Sequence, residues 1–476
     1  MIGRPALGRR HAGGPWWAAL VVLLLLAGPG RAGASPAPVL ELDEVLDAVR
    51  RTHPKLEGAQ RVVDQREALA FAARGGFDPL VTIRGKWAPV GYYSNAQVDA
   101  LVQQATPLWG ISAYAGYRLG LGSYPVYKGD LQTLSGGEVR AGINVPVWRN
   151  GPIDERRAKI RKTRIEQRGA RLQLSATQLA VERDAAKTYW DWVAAGQSLE
   201  VSRALLTVAE DRNTGLTEQV AAGSAAPITL TDNQRLVLDR QAKVVQAQRK
   251  FQQATLKLSL YLRDSQRRPI RPAADRVPPA FPGPVLPADS VNDAVNRALG
   301  QRPDARALDA EREAARVDVR LTANRRGPAV DFQAFVAKDI GDGPAELGPA
   351  EAGVGVTVKM ALPLRQARGE HRAAQAKVGQ IDAKRRALRD TIEAEVREAY
   401  VSVEAATERV DLARAQRDAA TQLADAERER LGQGASDLLA VNLRELAEAE
   451  AALLEIDALA DYHRSMADLI AASGGA

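Results

Sequence analysis

The sequence contains no cysteine. That excludes a disulfide framework, thiolate zinc or iron–sulfur ligation, a cysteine nucleophile and an acylated cysteine anchor. Aromatic residues make up only 5% of the 476 positions, and there are three methionines, too few for the core of a conventional large enzyme. Long apolar runs are equally scarce. The one candidate, Trp16 to Ala27, is about a dozen residues, against the roughly 20 that a membrane-spanning helix needs. A strong charge of one sign is lacking too, with 65 basic against 58 acidic residues. Arg4, Arg9, Arg10 and Arg31 supply most of the net +7, so the remainder carries only +3 and offers no polyanion-binding signal.

What is present begins with a basic start, the short apolar run, and small residues at Ala32 and Ala34. This order reads as a secretory signal peptide over residues 1–34. The rest is rich in Ala, Arg, Glu, Leu and Gln, a composition of long helices.

The chain also repeats itself. Val45-Leu46-Asp47-Ala48-Val49 parallels Val291-Asn292-Asp293-Ala294-Val295, and each is followed by a proline, Pro54 or Pro303. Pro79 and Pro328 then follow at matched spacing and open alternating segments. The expected organisation is a first repeat over 35–266, with a helix at 41–76, strands within 80–148 and a helical hairpin at 151–265. A proline-rich linker follows at 267–288. The second repeat, 289–473, has a helix at 289–325, strands within 329–364 and a hairpin at 368–473.

The helical pattern at Ile392, Val396, Ala399, Val403, Ala406, Val410, Ala413 and Ala420 is a narrow apolar seam. Leu439, Leu443, Leu446, Ala449, Leu453, Ile456, Ala460 and Ile470 are expected to return it, as an antiparallel coiled coil. Helices of this length reach roughly 100 Å at 1.5 Å per residue. Val139, Ala141, Ile143, Val145 and Val147 alternate with polar or small residues, as do Val354, Val356, Val358, Met360 and Leu362, a pattern suited to a membrane β-barrel with a wet interior.

The order of these features resembles the TolC family of outer-membrane efflux proteins. The likeness rests on the paired halves, on Pro54/Pro79 and Pro303/Pro328, on Val145-Pro146-Val147 and Leu362-Pro363-Leu364, and on Gly434-Ala435-Ser436-Asp437-Leu438-Leu439. It implies a mainly α fold with transmembrane β. Long coiled-coil helices would form a periplasmic α-barrel, and a homotrimer would pool four strands per protomer into a twelve-stranded outer-membrane barrel. It further implies a non-enzymatic exit duct of a tripartite efflux or type I secretion system. Its partners would be a periplasmic adaptor, an inner-membrane RND-type pump or ABC exporter, and outer-membrane lipid, with no cofactor, metal or nucleic acid.

Asp437 is the leading candidate for a periplasmic gate, through an acidic ring at the helix tips, and Asp232 is the weaker one; plain helix capping is the alternative for Asp437. Gly223, Ser224, Pro227, Gly432, Gly434 and Ser436 form the tips expected to dock on the adaptor. The stretch 104–124, including Ile111 to Leu119, reads as a longer surface loop, with an extra hairpin as the alternative. The competing function is a periplasmic adaptor or coiled-coil scaffold, for which two hairpins and duplicated strands are not expected. The transported substrate is not legible.

Overall fold

The computed structural model describes residues 38–475, so the expected signal peptide lies outside the described residues. The first helical stretch is not one helix but two, because Pro54 cannot continue a helix yet suits its first position. These are α1 (Leu42–Thr52) and α2 (Pro54–Arg74). The same break at Pro303 divides the expected 289–325 helix into α5 (Val291–Gln301) and α6 (Pro303–Asn324).

The long hairpins are α3 (Glu155–Ala221) with α4 (Pro227–Leu258), and α7 (Arg365–Gly432) with α8 (Leu438–Ala472). Their starts are chemically marked. Asp154 accepts a hydrogen bond from the Arg157 amide at 2.8 Å, and Asp437 accepts one from the Ala440 amide at 2.7 Å, each satisfying an otherwise orphaned donor of the first turn. Among the described residues, no helix is long and apolar enough to cross a membrane.

Packing sets these helices side by side in four columns. Near the sheet, α3 lies against α2 and α6, and α6 against α7; farther away, α3 lies against α4 and α8, and α8 against α7. Thus α3 and α7 are unbroken columns of 67 and 68 residues, while α2 over α4 and α6 over α8 make the other two. The joints are filled by two apolar clusters, one around Trp192, Val193, Phe251 and Leu258, the other around Ile392, Val396, Val403 and Val410.

The expected seam on α7 is buried from Ile392 through Ala413. On α8 the expected seam holds in the middle, where Ile456 and Ala460 are buried and Leu446, Ala449 and Leu453 half-buried, but Leu439, Leu443 and Ile470 are exposed, and the buried face is rotated to take in Val441, Glu445, Ala451, Glu455 and Leu459. The reason is that α8 packs on α3 as well as α7, so its inward face is broader than a two-helix seam and takes in two carboxylates.

The sheet has six strands rather than four: β1 (Leu80–Ala88), β2 (Asn95–Ala105), β3 (Ser112–Gly122), β4 (Glu138–Pro146), β5 (Ala329–Asp339) and β6 (Glu351–Lys359). They form one antiparallel meander in sequence order. The segment expected as a surface loop is β3 with the end of β2, and its hairpin partner runs the full length of the ladder, from Asn95 opposite Gly122 to Ala105 opposite Ser112. The sheet of one chain therefore has two strands more than the four per protomer expected above.

Candidate functional site

Register divides the sheet into two chemically distinct faces. Because side chains alternate across a strand and paired residues share a face, the ladder assigns every position. One face carries Val81, Ile83, Val98, Val102, Leu119, Leu121, Val139, Ile143, Phe332, Val336, Val354, Val356 and Val358. These side chains are apolar, and Ile83 and Val354 remain 72% and 76% exposed, an arrangement that water penalises and lipid does not. Polar exceptions sit at strand ends, where Gln104 Nε2 donates to the Phe77 carbonyl at 2.6 Å and Lys338 to the Gly348 carbonyl. Strands of 9 to 11 residues have the length that a membrane-spanning strand needs to cross an apolar band of roughly 25 Å.

The opposite face holds Arg84, Lys86, Gln97, Asp99, Arg118, Glu138, Arg140, Asn144, Gln333 and Glu351. Asp99 accepts from Arg118 Nε at 3.1 Å and from Arg140 Nη2 at 2.8 Å, and Arg118 lies 3.6 Å from Glu138. At the end away from the helices, the β3–β4 connection folds over this wall. Leu131 places its carbonyl where a Cβ on Gly120 would stand 2.0 Å away, so only glycine admits the crossing. Thr133 Oγ1 accepts from the Gly120 amide at 3.0 Å, and Tyr124 donates its hydroxyl proton to the Ala96 carbonyl at 2.9 Å.

At the far end of the helices, Gly223 and Gly434 take φ of +73° and +72°, the left-handed conformation that lets each hairpin reverse. Gly223, Ser224, Pro227, Gly432 and Gly434 are exposed, and Ser436 is half-buried, donating to the Glu427 carboxylate. The two tips lie at one level, since Arg212, about three turns before Gly223, meets Glu445, about three turns after Gly434, at 2.6 Å. Asp437 is exposed and caps α8; Asp232 is exposed and paired with Arg235 at 3.3 Å.

Just above the tips, Glu445 of α8 is 2% exposed and is met by Arg212 of α3 (2.6 Å), Arg428 of α7 (3.4 Å) and Arg240 of α4 (3.5 Å). One carboxylate thus ties all four lower columns together. Burial pushes its pKa up, but the Arg212 hydrogen bond and the three guanidinium charges outweigh that and hold it below the ordinary value. Arg240 is shifted down by desolvation against the pull of Glu445, and it also donates to the Leu205 carbonyl at 2.7 Å. No sequence pattern singled this group out, because its members lie on four helices up to 233 residues apart. The basic run at the start of α3 is likewise partnered from a distance: Lys162 reaches Asp318 at 2.7 Å, and Arg168 pairs with Glu313.

His463 sits in the last third of α8, stacked on Trp190 with ring centroids 4.0 Å apart and on Phe281 at 5.7 Å, its Nε2 3.2 Å from the Pro282 carbonyl. This links the proline-rich segment to the helices. Burial pushes the imidazole down to about 4, against a partial rise from the Pro282 contact. The unfolded chain takes up a proton near 6.5, which the native state refuses until about 4. This contribution is therefore complete above pH 6.5 and lost as pH falls through the window, amounting to about 3 kcal/mol. Denaturant midpoints read by tryptophan fluorescence should show that His463→Phe removes this part of the acid sensitivity; equal pH slopes in the two proteins would refute it. Among the described residues, no group of three or more His, Asp or Glu side chains is placed to hold a metal ion.

Residues 294–475 match the outer membrane efflux protein family. No curated protein matches the chain. Among solved structures, the Neisseria gonorrhoeae MtrE outer membrane channel, captured in its open state, is 15% identical and covers 91% of this chain and 89% of its own, with a TM-score of 0.64. The outer membrane protein VceC of Vibrio cholerae is 17% identical, covering 91% and 96% at a TM-score of 0.63. The Campylobacter jejuni CmeC outer membrane channel is 14% identical, covering 91% and 85% at 0.61. Residues 294–475 are thus similar in sequence to the outer membrane efflux protein family, and the described chain as a whole shares the fold of these outer-membrane channels.

Proposed function

We propose that this protein is a passive, non-enzymatic exit duct in the outer membrane, serving a tripartite efflux or type I secretion system. The observation that carries the reading is the two-faced sheet: an exposed apolar exterior and a charged interior, continuous with helices of 67 and 68 residues. An open sheet edge in lipid leaves unpaired backbone groups that cost several kcal/mol each, so the chain works as a homotrimer with its helices in the periplasm. The duplicated order of helix, strands and hairpin fits two internal repeats. The tips at Gly223 to Pro227 and Gly432 to Ser436 dock on a periplasmic adaptor, itself bound to an RND-type pump or ABC exporter. Crosslinks from Ser224→Cys and Ser436→Cys to the adaptor are the expected result; crosslinks formed only from the helix middles would overturn tip docking.

Detergent-corrected native mass after separation of the two membranes tests the duct itself. A trimer from the outer-membrane fraction is expected. A monomer released without detergent would favour the adaptor or scaffold reading instead.

Asp437 caps α8, yet its exposed position beside the tip also suits an acidic ring at the entrance. Asp437→Asn separates the roles, because asparagine caps as well as aspartate but carries no charge. Weaker block of single channels by hexammine or divalent cations is expected, with unchanged stability. Unchanged block would leave Asp437 as a cap alone. Asp232, already paired with Arg235, is the second candidate.

A further inference from the structure

The sheet and the helical layer end on the same two sides. On one side stand β1 and the α2/α4 column; on the other stand β6 and α7. Both sides carry exposed apolar stripes with no partner among the described residues. On α4 these are Leu238 and Val245, 66% and 67% exposed. On α7 they are Val401, Leu412 and Leu423, whose eleven-residue spacing completes three helical turns and holds one face.

The charges of the inner wall show the same incompleteness. Asp99, Arg118, Glu138 and Arg140, in the middle of the sheet, are ion-paired. Arg84 and Lys86 on the edge strand β1, and Glu351 on the edge strand β6, have no ion-pair partner among the described residues. At the end away from the helices, opposite charges thus wait on opposite edges, which suits a head-to-tail contact between copies; Lys359, the other charge on this face of β6, lies at its helix end.

The β2–β3 hairpin belongs to the wall. It lies between β1 and β4, so no pairing joins those two strands without it. Its residues alternate as the other strands do, with Val98, Val102, Leu119 and Leu121 on the apolar face and Asp99 and Arg118 on the charged one. The width agrees as well. Four helix columns at about 9.5 Å spacing occupy an arc of about 38 Å. Six strands about 4.8 Å apart, tilted by about 40°, occupy about 38 Å, whereas four would occupy about 25 Å.

Resting on the duct reading above, we propose that three copies close head to tail into a barrel of eighteen strands. In it β1 of one copy pairs with β6 of the next, and the α4 stripe meets the neighbour's α7. Equal arcs let the barrel meet the helical tube without a taper, with a bore of about 36 Å between opposite Cα positions. Eighteen strands are enough to leave a water-filled channel.

The test combines crosslinking with imaging of the full-length protein. Because there is no native cysteine, Thr82→Cys can be paired in turn with Gly353→Cys, Gly355→Cys and Thr357→Cys, which share its face, and with Val354→Cys and Val356→Cys, which do not. Oxidation should give a ladder ending at three copies from at least one same-face pair, and none from the opposite-face pairs. Cryo-electron microscopy of the wild-type complex, viewed down its axis, should then count eighteen strands. A trimer of twelve strands with the β2–β3 hairpin outside the wall would overturn the proposal while leaving the duct intact. A ladder ending at two, with twelve strands from two copies, would also overturn it. A protein absent from the outer membrane would instead defeat the duct reading, and this proposal with it.

Discussion

Replacing Glu445 with alanine is expected to destabilise the protein by about 3–5 kcal/mol, because it strands a buried cation. Arg240 is 2% exposed, and without Glu445 its guanidinium keeps, among the described residues, the hydrogen bond to the Leu205 carbonyl and the weaker attraction of Asp239. Arg212 and Arg428 are partly solvated and can turn to water, so Arg240 dominates the penalty. Glu445→Gln keeps the shape but not the charge and should fall between. The double variant Glu445→Leu, Arg240→Leu should recover most of the loss, since an apolar pair replaces a buried ion pair at little net cost. Denaturant midpoints and protease nicking near the tips measure both effects, and an additive double variant would show that the two residues do not act as a pair. The pH dependence has a definite sign. The native state holds the Glu445 carboxyl below its ordinary value, so its contribution is complete above the carboxylate range and lost as pH falls below it.

Placing arginine at Val336 should be almost as damaging, whereas arginine at Gln333 on the same strand should be tolerated. Val336 lies on the apolar face and Gln333 on the charged one, by the pairing of β5 with β4. A cation on the lipid side near the middle of the bilayer costs about 2–4 kcal/mol, while one facing a wet lumen keeps its hydration. Outer-membrane yield and heat resistance of the oligomer would show the contrast directly. Equal behaviour of the two variants would remove the face assignment, and with it the membrane-spanning role of the sheet.

How far these features were legible depended on whether their cause was local. Alternation in β4 and β6 was plain, because Val139, Ile143, Val354 and Val356 put large apolar residues on one face. The α7 seam was equally plain, being a single stripe against a single set of neighbours. The β2–β3 hairpin was hidden because its outward positions include Ala96, Ala100, Ala113 and Ala115, which fit lipid but carry little strand preference. The rotated face of α8 was hidden for another reason: Glu445 and Glu455 read as surface residues until arginines on neighbouring helices reach them. As for the tips, Gly223 and Gly434 declared the turns, and Asp437 declared the cap of α8, since an acidic residue just before a helix accepts from its first-turn amides.

The near-equal lengths of α3 and α7 restrict how such a chain can change its reach. Each residue rotates a helix by about 100° and advances it by about 1.5 Å, so inserting one residue turns every later side chain away from its neighbour. Only insertions of about 7, 11 or 18 residues bring the stripes back into line, the last almost without error. Each must also appear in the partner helix of the hairpin, and in both hairpins, or the tips fall out of step by about 10 Å or more. Reach in this architecture is therefore quantised. A duct for a wider periplasm has to arrive through paired, register-preserving additions of whole turns rather than residue by residue.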